Sequence, residues 1–137
     1  MKHFLLIIFA ALVLSSCSQQ PQAETKTKAL VLYYSQFSAT KTLADSIAQK
    51  IGADIVRIEV ENDYPADFGQ TIARCQEDKA NGTLPQLKPI NANIADYDIV
   101  FLGYPIWFGT YAPPIEALLK QVDFSGKDVV PFCSFGS

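Results

Sequence analysis

The sequence predicts an α/β fold: an open parallel sheet with helices on both of its faces. Two runs, Ala29–Tyr34 and Asp98–Gly103, are apolar without interruption and short enough to be strands. Strands of this kind are buried on both faces, as in parallel sheets that are covered by helices. Helical patterns lie between the strand-like runs, and this alternation indicates right-handed crossover connections.

Composition limits the classes of function. The 137 residues are enough for one domain, and the chain is 49% hydrophobic and 18% charged, as is usual for a globular core. A net charge of −3 without a basic stripe argues against nucleic acid as a partner. The cysteines have no zinc-type spacing and the single histidine is His3, so no metal site is expected.

The N-terminal segment is expected to lie outside the folded domain. Lys2 precedes an apolar run over residues 4–14, and Ser15-Ser16-Cys17 follows, which is the pattern of a processed signal. This segment resembles the lipobox of bacterial lipoproteins, and the resemblance implies that Cys17 becomes the lipidated N-terminus. The alternative is an ordinary secretory signal that happens to contain a cysteine.

The lipobox interpretation divides the chain into three parts. These are a signal peptide (1–16), a flexible tether (17–28) and a folded domain (29–137). It predicts an exported bacterial lipoprotein that is anchored to a membrane, on the periplasmic side or at the cell surface.

The first half of the domain reads strand, helix, strand, helix. A helix is predicted by an apolar face and a C-terminal glycine, namely Leu43, Ala44, Ile47, Ala48, Ile51 and Gly52. The alternating run Asp54–Val60 is predicted to be an edge strand. After a turn at Asn62–Asp67, a helix over Phe68–Asn81 buries Ile72 and Cys75 and ends at Gly82.

The second half begins with a loop over Thr83–Asp96 and contains the second buried strand. A rigid aromatic loop, Tyr104–Pro114, leads into a helix over Ile115–Gln121, with Pro114 in its first turn. After a turn at Phe124–Gly126, Asp128–Cys133 reads as a third apolar strand. Cys75 and Cys133 are expected to be free thiols that pack as small hydrophobic groups.

Ligands of such sheets bind beyond the carboxyl ends of the strands, and three loops lie there, after Tyr34, Gly103 and Cys133. The first, Ser35–Thr42, offers backbone N–H groups and hydroxyls at a helix N-terminus, which suits a phosphate. It lacks the P-loop and dinucleotide fingerprints, so nucleoside triphosphate hydrolysis is not expected. The alternative is that its serines and threonines are plain N-caps.

The second loop carries four aromatic residues within Tyr104–Tyr111. Exposed rings at the end of a strand indicate that something covers them. A flat conjugated ligand that stacks on Trp107 or Phe108 would do so. The alternative is that the rings plug the top of the sheet.

From Leu30 to Ser137 the sequence resembles the flavodoxin-like flavoproteins, in particular the bacterial NAD(P)H-dependent FMN oxidoreductases. The resemblance is carried by Tyr33–Gln36, Gly103–Gly109 and Phe124–Ser134. It implies noncovalent FMN on an open sheet of order 2-1-3-4, whose fifth strand is absent from this chain. The implied FMN contacts are Ser35, Gln36, Phe37, Ser38, Ala39 and Thr40 for the phosphate, Pro105, Ile106, Trp107, Phe108 and Gly109 for the isoalloxazine, and Ser134, Phe135, Gly136 and Ser137 in the third loop.

Two departures from this family pattern stand out. Phe37 occupies a position where the family usually has threonine, and Ser38 one where it has glycine. Ser38 adds a Cβ where a positive φ or a close backbone approach is expected. The family also continues beyond the third loop, so we hypothesise that the chain is C-terminally incomplete.

The resemblance implies an oxidoreductase that passes electrons from NAD(P)H to a quinone-like or other small acceptor. No catalytic side chain is expected, because the flavin supplies the chemistry. Two alternatives stay open: an electron carrier that docks on a redox protein and has no substrate of its own, and a truncated remnant that no longer binds flavin.

Overall fold

The computed structural model describes residues 26–136 of the chain. The predictions on residues 1–25, including Cys17, and on Ser137 lie outside the described residues. The strands are β1 (Ala29–Tyr33), β2 (Asp54–Arg57), β3 (Ile99–Trp107), β4 (Thr110–Tyr111) and β5 (Asp128–Ser134). The helices are α1 (Ser38–Ile51), α2 (Phe68–Asn81) and α3 (Pro113–Gln121), with a 3-10 turn at Ile94–Asp96.

The sheet has the predicted open parallel topology. β1 lies between β2 and β3, and β3 also pairs in parallel with β5, which gives the order β2-β1-β3-β5. The strand predicted as the fourth is therefore β5. The short β4 is an additional strand that pairs antiparallel with the end of β3.

The core lies on both faces of the sheet, as predicted. On one face, Val31 and Tyr33 of β1 pack with Ala44 and Ala48 of α1. On the other face, Leu30 and Leu32 belong to a larger cluster with Ile115 and Leu118 of α3 and Cys75 of α2. β1 is thus buried from both sides, which confirms the interpretation of its unbroken apolar run.

The helix limits follow local signals. α2 has the predicted limits: the Asp67 carboxylate accepts the Gln70 N–H at 2.8 Å, and Gly82 ends the helix with a φ of 64°. α1 starts at Ser38, five residues before the first position of the predicted apolar face, Leu43. Among residues 26–136, no helix combines the length and hydrophobicity needed to cross a membrane.

The prediction of an irregular loop over Tyr104–Pro114 was wrong in its first part. β3 runs on to Trp107, because its ladder with β5 reaches Pro105 and the hairpin with β4 pairs Ile106 and Trp107. β2 is an edge strand, as predicted, but it stops at Arg57. Beyond it, Ile58 and Val60 are buried, and Val60 forms an isolated antiparallel bridge with Leu87.

β5 differs from the buried strand that its apolar sequence predicts. Most of its residues are exposed, because within the described residues only β3 pairs with it and little covers its faces. Cys133 is accordingly exposed, which corrects the expectation that it packs in the core. Cys75 is buried, and both described cysteines are free, as predicted.

Candidate functional site

The three predicted loops meet at the carboxyl ends of β1, β3 and β5. A hydrogen bond of 2.6 Å joins the hydroxyls of Thr40 and Ser134, and so links the first loop to the third. The Tyr34 N–H donates to the Gly103 carbonyl at 2.9 Å, which ties the end of β1 to β3. The site residues therefore come from separate parts of the sequence to one edge of the sheet.

Ser35 shapes the first loop from inside. Its side chain is buried, its hydroxyl donates to the Phe37 carbonyl, and it accepts the Lys41 N–H at 3.2 Å. It thus does the work of a cap for α1, whose N-cap residue, Phe37, makes no side-chain capping bond. Because its hydroxyl is engaged internally, Ser35 fixes the backbone path of the loop.

Gln36 anchors the same loop to the start of α2. Its amide nitrogen donates to the Pro65 carbonyl at 2.6 Å and to the Thr71 hydroxyl at 2.9 Å. Thr71 in turn donates to Pro65 at 2.8 Å. Both amide hydrogens of Gln36 are therefore used within the chain, so this predicted contact residue acts on the position of the loop.

Arg57 holds the loop from the other side. One of its guanidinium nitrogens donates to the Ser35 carbonyl at 2.7 Å. A guanidinium has five N–H donors, so most of them are left for other acceptors. This places a permanent positive charge beside the first loop.

The first turn of α1 presents free backbone donors. Within residues 26–136, no acceptor takes the N–H groups of Ser38, Ala39 and Thr40. Such groups are the usual orphan donors of a helix start, and with the helix dipole they favour an anion. Ser38 is helical and has no positive φ, so the serine fits a position where the family uses glycine.

Thr40 and Ser134 add a hydroxyl donor to these N–H groups. Thr40 is fully buried, and Ser134 is half-buried. Only one of the two hydroxyls donates in the bond between them, so the other keeps its hydrogen for a further acceptor. N–H and O–H groups at one place form a donor cluster that suits an acceptor-only group such as a phosphate.

The aromatic residues of the second loop divide into a plug and an exposed ring. Trp107 packs edge-on against Tyr34, with ring centroids 5.9 Å apart, and against Tyr64 at 5.1 Å. It thereby caps the core, as the alternative interpretation proposed. Phe108 is 62% exposed, which makes it the better placed of the two predicted stacking residues.

Phe108 also has an unusual backbone conformation. Phe108 and Gly109 are the two turn residues of the β3–β4 hairpin, with φ values of 52° and 78°. Two successive positive φ values define the type I′ turn, which favours Asn-Gly. A phenylalanine in this conformation costs about 1–2 kcal/mol.

We predict that Phe108→Asn raises the free energy of unfolding by about 1 kcal/mol, because asparagine tolerates the left-handed conformation. Phe108→Ala is the matched control: it removes the ring but keeps the unfavourable φ, so its stability should stay near that of the parent chain. Urea unfolding followed by circular dichroism measures both. Equal stability changes for the two variants would contradict the turn assignment.

One exposed phenylalanine stands in each of the three loops. Phe37 is 56% exposed, Phe108 62% and Phe135 77%. Gly136, next to Phe135, is also exposed. Exposed rings grouped at one edge of a sheet are characteristic of a site that is covered by a ligand or partner.

The two phenols behind the site remain protonated at neutral pH. Burial raises the pKa of Tyr34 far above its ordinary value, and Asp63 raises it further while Arg57 opposes the shift. Burial also raises the pKa of Tyr64. The Tyr64 hydroxyl is buried next to the Cys75 thiol and makes no regular hydrogen bond within the described residues. Neither phenol is suited to act as a base.

An open parallel α/β sheet that gathers three ligand-type loops at its carboxyl edge defines a class of binding domain. Within this class, residues 28–137 match the family described as Flavodoxin. The chain therefore belongs to the flavodoxin family, which confirms the resemblance.

Known proteins agree with this assignment. A protein from Bacteroides eggerthii superposes with a TM-score of 0.73 at 30% identity, over 81% of this chain and 72% of that one. A flavoprotein in complex with FMN, from Lactobacillus acidophilus, gives 0.71 at 30% identity, over 81% and 76%. An NAD(P)H dehydrogenase (quinone) from Gluconacetobacter diazotrophicus is 28% identical over 95 residues, 69% of this chain and 46% of that protein. The chain spans about half the length of the curated relatives that it matches.

Sequence reasoning missed several residues around the site. Arg57 was assigned only to an edge strand, although its place at the end of β2 puts it at the same edge as the three loops. The Gln36–Pro65–Thr71 contacts and the packing of Tyr64 on Trp107 join residues that are distant in the sequence. Nothing in the local sequence pattern signals such contacts.

Proposed function

We propose that this chain binds FMN noncovalently at the carboxyl edge of the sheet and passes electrons from NAD(P)H to a quinone-type acceptor. The observation that carries the proposal is the donor cluster at the start of α1, where free N–H groups meet the Thr40–Ser134 hydroxyl pair. The complex of a related flavoprotein with FMN supports the choice of ligand.

The FMN phosphate would accept from the N–H groups of Ser38, Ala39 and Thr40. The free hydrogen of the Thr40–Ser134 pair would donate to it as well. Ser35 and Gln36 keep the loop in shape from within, and Arg57 adds a positive charge beside it. The hydroxyl missing at Phe37 is thus offset by neighbours.

The flavin ring system would lie against the β3–β4 hairpin, in contact with Pro105–Gly109, and Phe108 would supply an exposed ring for stacking. The third loop, from Ser134 through Phe135 and Gly136 to Ser137, would cover its other side. Bound FMN supplies the electron-transfer chemistry, and the chain positions it and excludes water. Phe108→Asn is then expected to gain stability and lose flavin affinity.

The direction of electron flow is supported by two curated relatives, both NAD(P)H dehydrogenases (quinone), at 28% and 33% identity. Stopped-flow mixing of the flavin-loaded chain with NADH or NADPH tests it. Rapid bleaching of the flavin, followed by reoxidation with a soluble quinone, is the expected result. Bleaching only by a reduced partner protein would make the chain an electron carrier instead.

The charge of Arg57 gives a separate prediction. Arg57→Gln should weaken FMN binding about fivefold and leave riboflavin binding within twofold, because riboflavin lacks the phosphate that the guanidinium attracts. The difference should shrink in high salt. Arg74→Gln on α2 is the matched control. An equal loss for both flavins would reduce Arg57 to a structural role.

We also propose that the mature protein is a lipoprotein anchored through Cys17. The lipobox-like pattern Leu14–Cys17 supports this. Cys17→Ser should move the protein from the membrane fraction and abolish labelling by a fatty-acid analogue. Unchanged fractionation and labelling would contradict the anchor.

A further inference from the structure

A groove of about 660 Å³ lies between the C-terminal half of α2, the β3–β4 hairpin and the start of α3. This volume falls within the range of small-molecule sites. Within the described residues, neither the phosphate loop nor β5 contributes to it. It is therefore separate from the donor cluster at the start of α1.

The lining of the groove is aromatic and apolar. One wall is the hairpin, with Trp107, Phe108 and Tyr111; facing it are Cys75 and Leu84. Trp107 is fixed by its edge-on contacts with Tyr34 and Tyr64, so this wall is in place without a ligand. Aromatic walls of this kind favour a planar ring system.

The charges around the groove leave one cation over. Glu116 pairs with Lys120 at 3.0 Å. The Asp78 carboxylate lies 3.8 Å from the Arg74 guanidinium and accepts from the Thr83 hydroxyl. Among the described residues, Lys79 is the lining cation without an ion pair. A ligand with an anionic substituent would complement it.

We propose that this groove is a binding site for a planar aromatic molecule that carries a carboxylate or sulfonate, with its rings on Trp107 and Tyr111 and its anionic group toward Lys79. Phe108 belongs both to the groove and to the predicted flavin contacts. A molecule in the groove therefore lies next to the hairpin that would carry the flavin. The proposal itself does not require that flavin binds.

Trp107 is the only tryptophan of the chain and lines the groove, so its fluorescence reports on the site directly. The probe is 9,10-anthraquinone-2-sulfonate, titrated into the full chain with and without FMN. We expect saturable quenching in both cases. The neutral analogue 2-hydroxymethyl-9,10-anthraquinone should bind more weakly.

Two substitutions on the exposed surface separate the contributions. Lys79→Gln should weaken the sulfonate about two- to fivefold, as for an exposed ion pair, and leave the neutral analogue unchanged. Lys50→Gln, in the corresponding last turn of α1, should change neither. Tyr111→Ala should weaken both ligands, and circular dichroism shows whether this hairpin variant remains folded.

A third variant distinguishes this groove from the flavin site. Thr40→Val should weaken FMN and leave the sulfonate unchanged, whereas Lys79→Gln should do the reverse. Absence of quenching at millimolar probe, indifference to Lys79→Gln, or loss of probe binding in Thr40→Val would each overturn the groove. Loss of FMN binding alone would overturn the proposed function and leave the groove intact.

Discussion

Ala39→Glu is expected to weaken FMN binding on the order of 100-fold, because a carboxylate would repel the phosphate at close range. Ala39 is exposed in the first turn of α1, where the free N–H groups of Ser38, Ala39 and Thr40 lie. The new carboxylate would compete for the same donors. In the free chain it is favoured by the helix dipole, so the free energy of unfolding should rise by about 0.5 kcal/mol.

Riboflavin and a second variant act as controls for this result. Riboflavin has no phosphate, so its affinity should change little in Ala39→Glu. Gln49→Glu adds the same charge near the other end of α1 and should leave FMN affinity unaltered. Flavin fluorescence titrations measure all of these affinities. If Ala39→Glu binds FMN as well as the parent chain does, the phosphate does not lie at this helix start.

Gly103→Ala is expected to lower the free energy of unfolding by about 2–3 kcal/mol. Gly103 on β3 stands directly beside Phe132 on β5, and a Cβ at Gly103 would come within 3.0 Å of three carbons of the Phe132 ring. The ring occupies the space that the glycine leaves, so added volume there must displace it. The clash lies between two strands that carry loops of the site.

A double-mutant cycle isolates this contact. In a Phe132→Ala background, Gly103→Ala should cost less than about 0.5 kcal/mol, because the ring is gone. Gly69→Ala in α2 controls for a general effect of replacing glycine, and helix propensity predicts that it is neutral or stabilising. Chemical denaturation supplies the free energies. An equal cost of Gly103→Ala in both backgrounds would exclude the ring as its cause.

The sequence predicted those parts of the fold that depend on local signals. The unbroken run of β1 indicated burial on both faces, and Asp67 and Gly82 marked the ends of α2. The helix on each face of the sheet followed from the alternation of strands and helical patterns. Each of these features rests on a pattern confined to one short segment.

The features that were missed depend on pairing between distant segments. The prolines and glycine in Tyr104–Pro114 indicated a loop, yet β5 and β4 supply the hydrogen bonds that extend β3 to Trp107. Likewise, the apolar sequence of β5 does not say what covers it, and in the structure most of it is exposed.

The candidate site was placed correctly at the carboxyl edge, because parallel topology fixes where strand ends meet. The individual roles proved less predictable. The Ser35 hydroxyl and the Gln36 amide are engaged within the chain, and Arg57 enters from a neighbouring strand. Such roles follow from the geometry of the folded loop.

The central claim is that the donor cluster at the start of α1 holds the phosphate of a flavin. Titration of the purified chain into FMN and, separately, into riboflavin tests it most directly, with flavin fluorescence as the readout. The account predicts saturable quenching at one FMN per chain and markedly weaker binding of riboflavin. Unchanged FMN fluorescence, or equal affinity for the two flavins, would contradict it.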